Sequence, residues 1–129
     1  MTSPGRLIAV VDDEFAVRRA LWRLLRANGY RVETYDTADA LLRALPERKF
    51  ECVLLDLRLP GIPGLEALYR IEAYEGALPV IVLTGDSTPK ARERALAARA
   101  VECLFKPVDS AVLLASIERA LSGTVERAA

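Results

Sequence analysis

The chain has 129 residues and 52% of them are apolar, enough for one domain with a real core and too apolar for a disordered chain. Its 18 basic and 18 acidic residues cancel, so it lacks the basic excess that draws proteins to nucleic acid. It contains no histidine, which excludes a histidine base, a histidine metal ligand and a phospho-histidine of its own.

The first apolar run, Leu7 to Val11, is halted by Asp12-Asp13-Glu14. It is shorter than a signal peptide or a spanning helix requires, which leads to the expectation of a cytoplasmic protein with no membrane contact. Further strand-length runs follow at Arg31–Tyr35, Cys52–Leu55, Pro79–Leu83 and Val101–Phe105. Between them lie segments of helical spacing. Val17, Leu21, Leu24 and Leu25 form one face of the first, which stops at Asn28-Gly29. Thr37 caps the second, with Ala40, Leu41, Leu42 and Leu45 inside and Pro46 at its end. Leu65, Leu68, Ile71 and Ala73 mark the third. Ser87 or Thr88, followed by Pro89, opens the fourth. Asp109 or Ser110 opens the fifth, which carries Val112, Leu113, Ile117, Ala120 and Leu121 and stops at Gly123.

Five strand–helix units in succession imply an α/β domain, a parallel sheet covered by helices on both faces. The expected domain runs over residues 1–123, with 124–129 as a tail or a truncated linker. Cys52 and Cys103 lack a Cys-x-x-Cys partner and read as buried, reduced thiols.

Ligands of open parallel sheets sit beyond the carboxyl ends of the strands. Those ends carry Asp12-Asp13, Asp56, Thr84-Gly85 and Lys106-Pro107. If strands 1 and 3 are neighbours, their tips lie about 5 Å apart, and three carboxylates would converge. Such a cluster calls for a hard divalent cation with oxygen ligands, Mg²⁺ with Mn²⁺ as a substitute. Lys106 adds an ammonium and Thr84 a hydroxyl. Together these groups suit a phosphoryl group on an aspartate. Taken singly, Asp-Asp is an ordinary helix cap and Lys-Pro an ordinary turn; it is the combination at successive strand ends that points to chemistry.

The segments Val10-Val11-Asp12-Asp13-Glu14, Leu54-Leu55-Asp56-Leu57-Arg58-Leu59-Pro60-Gly61, Val82-Leu83-Thr84-Gly85 and Phe105-Lys106-Pro107 resemble the receiver domain of two-component response regulators across residues 6–122. The Thr-Gly step and the Leu-Pro-Gly-x-x-Gly-Leu-Glu stretch are most similar to receivers joined to helix-turn-helix output domains. The resemblance implies a flavodoxin-like, doubly wound (βα)5 fold with strand order 2-1-3-4-5. It implies that Asp56 accepts a phosphoryl group from the phospho-histidine of a sensor histidine kinase or a histidine phosphotransfer protein. Asp13, Asp56 and the carbonyl of Arg58 would hold the metal directly, and Asp12 through water. Lys106 and Thr84 would engage phosphoryl oxygens, and the Lys106–Pro107 bond would be cis. Phosphorylation would change protein contacts, including possible homodimerisation, without direct nucleic-acid binding by this domain and without catalysis beyond the domain's own phosphorylation and dephosphorylation.

The sequence departs from the receiver pattern at three positions. Cys103 replaces the usual aromatic switch residue three before the lysine, Phe105 replaces a polar or small residue, and Arg99 stands where glycine is expected. These leave the site chemistry intact and point to an altered or absent aromatic switch, as in a stand-alone relay or docking receiver. An aspartate-nucleophile phosphatase needs an acid where Arg58 stands. A flavin-phosphate binder needs a Ser/Thr/Gly-rich first loop instead of Asp12-Asp13-Glu14. On the first helix, Phe15, Arg18, Arg19, Trp22 and Arg26 share one stripe. With Val108 this stripe is expected to dock the kinase's helical hairpin; the alternative is packing of the aromatics against helix 5 or the strand 1 loop.

Overall fold

The computed structural model describes residues 5–59 and 61–123. The expected tail, 124–129, lies outside the described residues, as does Pro60. Five strands, β1 (Leu7–Val11), β2 (Arg31–Tyr35), β3 (Cys52–Asp56), β4 (Val80–Thr84) and β5 (Glu102–Phe105), form one parallel sheet in the order β2-β1-β3-β4-β5. The helices are α1 (Phe15–Ala27), α2 (Ala38–Ala44), α3 (Gly64–Tyr74), α4 (Pro89–Ala97) and α5 (Ser110–Ser122), with a 3-10 turn at Leu45–Glu47.

Side chains alternate along each strand, so the sheet feeds two cores. Ile8, Val10, Leu54, Ile81 and Leu83 meet Leu21 and Leu25 of α1 and Leu113 and Ile117 of α5. Ala9, Val11, Val53, Leu55, Val80 and Val82 meet Leu41 of α2, Ala67, Leu68 and Ile71 of α3 and Ala95 of α4. Strands β1, β3 and β4 are buried throughout, which explains their unbroken apolar runs. Cys52 and Cys103 belong to opposite cores, with β4 between their strands, and both are free. A bridge between them is sterically excluded.

The helix starts resolve the alternatives left by the sequence. Thr88, not Ser87, accepts from the Ala91 N–H, and Asp109, not Ser110, accepts from the Ala111 and Val112 N–H groups. Pro46 sits inside the 3-10 turn that continues α2. Two positions expected to face a core do not: Ala73 and Val112 are exposed. Val112 lies one residue before buried Leu113, and Ala73 lies two residues past buried Ile71, on the far side of its helix.

Arg99 follows the C-cap of α4 with φ +78°, the only positive φ among the described non-glycine residues. A side chain there crowds the following carbonyl, which is the physical reason a glycine suits the position. Arg99→Gly is therefore expected to be more stable than Arg99→Ala by roughly 1 kcal/mol in urea unfolding, since both lose the arginine and only glycine relieves the backbone. Equal midpoints would contradict this account.

Candidate functional site

The parallel register brings the polar ends of four strands to one rim. Val11 pairs with Leu55, so Asp12 emerges level with Asp56, the last residue of β3. Thr84 ends β4 opposite Phe105, and the Lys106 N–H donates to the Thr84 carbonyl at 2.8 Å, which places Lys106 just past the rim. The Lys106–Pro107 bond is cis.

Asp12 and Asp56 are 1% and 5% exposed, deep for carboxylates, and Asp13 beside them is open to solvent. One oxygen from each of Asp12, Asp13 and Asp56 falls within 4.8 Å of the others, so three acids do converge. Lys106 Nζ lies 2.6 Å from Asp12 Oδ2 and 3.1 Å from Asp56 Oδ2, bridging the buried pair. The remaining oxygens are met by backbone: the Glu14 N–H donates to Asp12 Oδ1 and the Arg58 N–H to Asp56 Oδ1, both at 2.9 Å.

These contacts set the electrostatics. Burial pushes the Asp56 carboxyl above its ordinary pKa; the Arg58 N–H and Lys106 pull the other way, and neighbouring Asp12 adds to the rise. For Lys106, burial works against the charge, but hydrogen bonds to Asp12 and Asp56 outweigh it and raise its pKa, so the ammonium persists at neutral pH. One ammonium faces three carboxylates. The donor set, all oxygen and in excess negative charge, fits a hard divalent cation.

Thr84 is buried, and its hydroxyl accepts from the Asp86 N–H at 3.1 Å, turned into its own loop. Asp86, absent from the sequence reading, in turn accepts from the Thr88 N–H, and this contact lowers its pKa. Gly64 shapes the loop after Asp56. A Cβ there would lie 2.5 Å from Leu57 Cα, so only glycine lets α3 begin this close to the acid. Arg58 is exposed, with its backbone N–H, not its side chain, turned to Asp56. Cys103 is buried on the α4 side of the sheet, and Pro107 is exposed at the turn.

The surface residues separate. Phe15 is 65% and Trp22 42% exposed, with Arg18 over the Phe15 ring at 5.7 Å and Arg26 over Trp22 at 5.2 Å. Phe15, Arg18, Arg19 and Trp22 border a hollow of about 290 Å³ toward Thr34 of β2. Val108 lies across α1 from them, beside Pro107, Ala16, Val17 and Ala20, in a separate apolar hollow of about 490 Å³. The stripe and Val108 thus flank α1 instead of forming one patch.

The comparisons with known proteins agree with this geometry. The family model for the response regulator receiver domain matches residues 8–118. FixJ of Bradyrhizobium diazoefficiens, a transcriptional regulatory protein, is 39% identical over 94% of this chain, which covers 58% of FixJ. ZraR of Escherichia coli O157:H7, also a transcriptional regulatory protein, is 36% identical over 96% of this chain, which covers 28% of ZraR. The chain therefore spans little more than half, or less, of these relatives. A CheY-like receiver domain from Methanospirillum hungatei superposes with a TM-score of 0.88 at 28% identity, covering 92% of this chain and 95% of that one. The BeF3-activated DrrB receiver domain does so at 0.85 and 30% identity, covering 92% and 98%. Among the described residues, no helix is long and apolar enough to cross a membrane. With a CheY-like sheet and its acidic rim in place, the chain belongs to the receiver domain family of two-component response regulators and is a phosphoacceptor signalling switch.

Proposed function

We propose that Asp56 is the phosphoacceptor and that the donor is a phospho-histidine on a sensor histidine kinase or a histidine phosphotransfer protein. The observation that carries this reading is the convergence of Asp12, Asp13 and Asp56 within 4.8 Å around a bridging lysine. An Asp56 carboxylate oxygen attacks phosphorus in line as the bond to the donor's imidazole breaks, and the imidazole takes up a proton on leaving. Lys106 already sits where an incoming phosphoryl oxygen needs a positive charge. Thr84 can exchange the Asp86 N–H for a phosphoryl oxygen, a rearrangement of one hydroxyl that alters the β4–α4 loop. Asp12, Asp13, Asp56 and the Arg58 carbonyl would hold Mg²⁺, or Mn²⁺ in its place; when bound, the ion neutralises charge on the acids and on the transferring group. Catalysis is confined to the domain's own phosphorylation and dephosphorylation. Because Cys103 has no ring to rotate, the change at Thr84 reaches α4 and β5 without that device. In a protein of the relatives' length, the receiver would control an attached output domain.

The test is direct. With Mg²⁺ and acetyl phosphate the chain is expected to gain one phosphoryl group that is hydroxylamine-labile and maps to the peptide containing Asp56, and to gain none when EDTA is present from the start. An adduct that forms equally without a divalent ion, or maps elsewhere, refutes the reading.

The α1 stripe is proposed as part of the kinase dock, since exposed Phe15 and Trp22 framed by arginines resemble interface anchors. Phe15→Ala with Trp22→Ala is expected to slow transfer from the cognate kinase by about tenfold, taking truncation of each anchor as ~1 kcal/mol or less. Labelling by acetyl phosphate should stay close to the parent rate. Equal slowing by both donors would show that the rings support the fold or the site.

A further inference from the structure

Helix α1 carries four arginines and no acid. Arg19, Arg23 and Arg26 are exposed, as solvated surface charges are. Arg18 differs: it is half-buried, and its Nη1 donates to the backbone carbonyl of Asp12 at 2.8 Å while the guanidinium rests over Phe15.

That carbonyl occupies a special place. Asp12 follows the last residue of β1, and its other polar groups are all engaged. Its N–H donates to the Tyr35 carbonyl at 3.1 Å, Oδ1 accepts from Glu14, and Oδ2 accepts from Lys106. The carbonyl shares one rigid plane with the N–H of Asp13. Fixing its oxygen therefore fixes the direction in which the chain enters Asp13. The Asp13 side chain is exposed and borders the acidic cluster. The backbone that presents it is what aims its carboxylate.

We propose that Arg18 is a positioning residue for the cation site: by holding the Asp12 carbonyl it orients the Asp12–Asp13 peptide, so that Asp13 faces Asp12 and Asp56. The proposal rests on the reading of these acids as the cation site given above. Charge alone works in the opposite sense, because a guanidinium beside a cation site repels the cation. The two effects can thus be told apart by sign. Groups that orient metal ligands commonly matter by ten- to a hundredfold in affinity.

The experiment titrates the full chain with Mn²⁺, reading free Mn²⁺ by electron paramagnetic resonance, with circular dichroism confirming the fold of each variant. Arg18→Met, which keeps the stem and loses the donor, is expected to bind Mn²⁺ about tenfold more weakly. Arg18→Lys, with charge and one reachable donor, should fall between it and the parent. In an Asp13→Asn background the same Arg18→Met change should cost less than about twofold, because the orienting effect has lost its object. Binding by Arg18→Met as tight as the parent or tighter overturns the proposal, as does an undiminished loss in the Asp13→Asn background. Should Arg18→Met fail to fold, Arg18→Lys against Arg18→Gln decides it: the proposal requires both to bind more weakly than the parent, and parent-like affinity in both overturns it. A parent chain that does not bind Mn²⁺ overturns the cation site itself, whereas normal parent binding with unaffected Arg18 variants overturns only the role of Arg18.

Discussion

Asp56→Asn is expected to abolish phosphoryl incorporation from acetyl phosphate and from a kinase alike, and at the same time to raise the melting temperature of the metal-free chain. The two effects share one cause. Asp56 is an acid 5% exposed to solvent, facing Asp12 and Asp13 with one ammonium between them. Burial and the Asp12 charge both disfavour its ionised form. The proposed nucleophile is thus held in place at a cost to the fold. Asparagine keeps the shape and an oxygen for the Arg58 N–H, removes the anionic nucleophile and relieves the repulsion, while Lys106 keeps its 2.6 Å bond to Asp12. A stabilisation of roughly 1 kcal/mol, a few degrees in Tm, is the expected scale for relief of this kind. Intact-mass spectrometry and calorimetry in EDTA measure the two effects. Label retained in Asp56→Asn places the acceptor elsewhere; a lower Tm shows that the carboxylate supports the fold instead of straining it.

Much of this arrangement was legible in the sequence, for identifiable reasons. Buried parallel strands cannot place polar groups in their middles, so the acids and the lysine stand out at the run ends, and alternation with helical segments sets the fold class. The order 2-1-3-4-5 came from the resemblance, because periodicity does not say which strands are neighbours. Less legible was what depends on contacts between segments. Arg18 reads as a member of the docking stripe, one of three arginines beside Phe15 and Trp22, until the fold brings the Asp12 carbonyl to its guanidinium. Val108 reads as an extension of the Phe15–Trp22 stripe until α1 is seen to stand between them. Asp86 offers no signal at all, since its contribution to Thr84 is a backbone N–H. Ala73 and Val112 show the limit of hydrophobic spacing: an alanine or a valine close in sequence to a buried residue fits the pattern whether or not it is covered.

Lys106→Met is expected to lose transfer activity and to gain affinity for Mg²⁺. The ammonium bridges Asp12 and Asp56 at 2.6 and 3.1 Å and is the one side-chain cation paired with them among the described residues. Methionine fills similar space without the charge, leaving two buried carboxylates uncompensated. Loss of one partner from a fully buried pair costs about 3–5 kcal/mol; the partial exposure of Lys106 reduces that here to about 2 kcal/mol. A divalent cation can restore the balance, so Mg²⁺ should raise the Tm of Lys106→Met more than that of the parent. Transfer does not recover with the fold. The phosphoryl group carries its own negative charge, and the donor that would meet one of its oxygens is gone. Loss of one such charge-stabilising contact typically slows the chemical step by about 10²–10³. Melting curves over a Mg²⁺ series and rates with acetyl phosphate at saturating Mg²⁺ separate the two roles. If saturating Mg²⁺ restores both stability and rate, Lys106 serves only as a counter-ion to Asp12 and Asp56; if it restores stability alone, the ammonium has a second task at the transferring group.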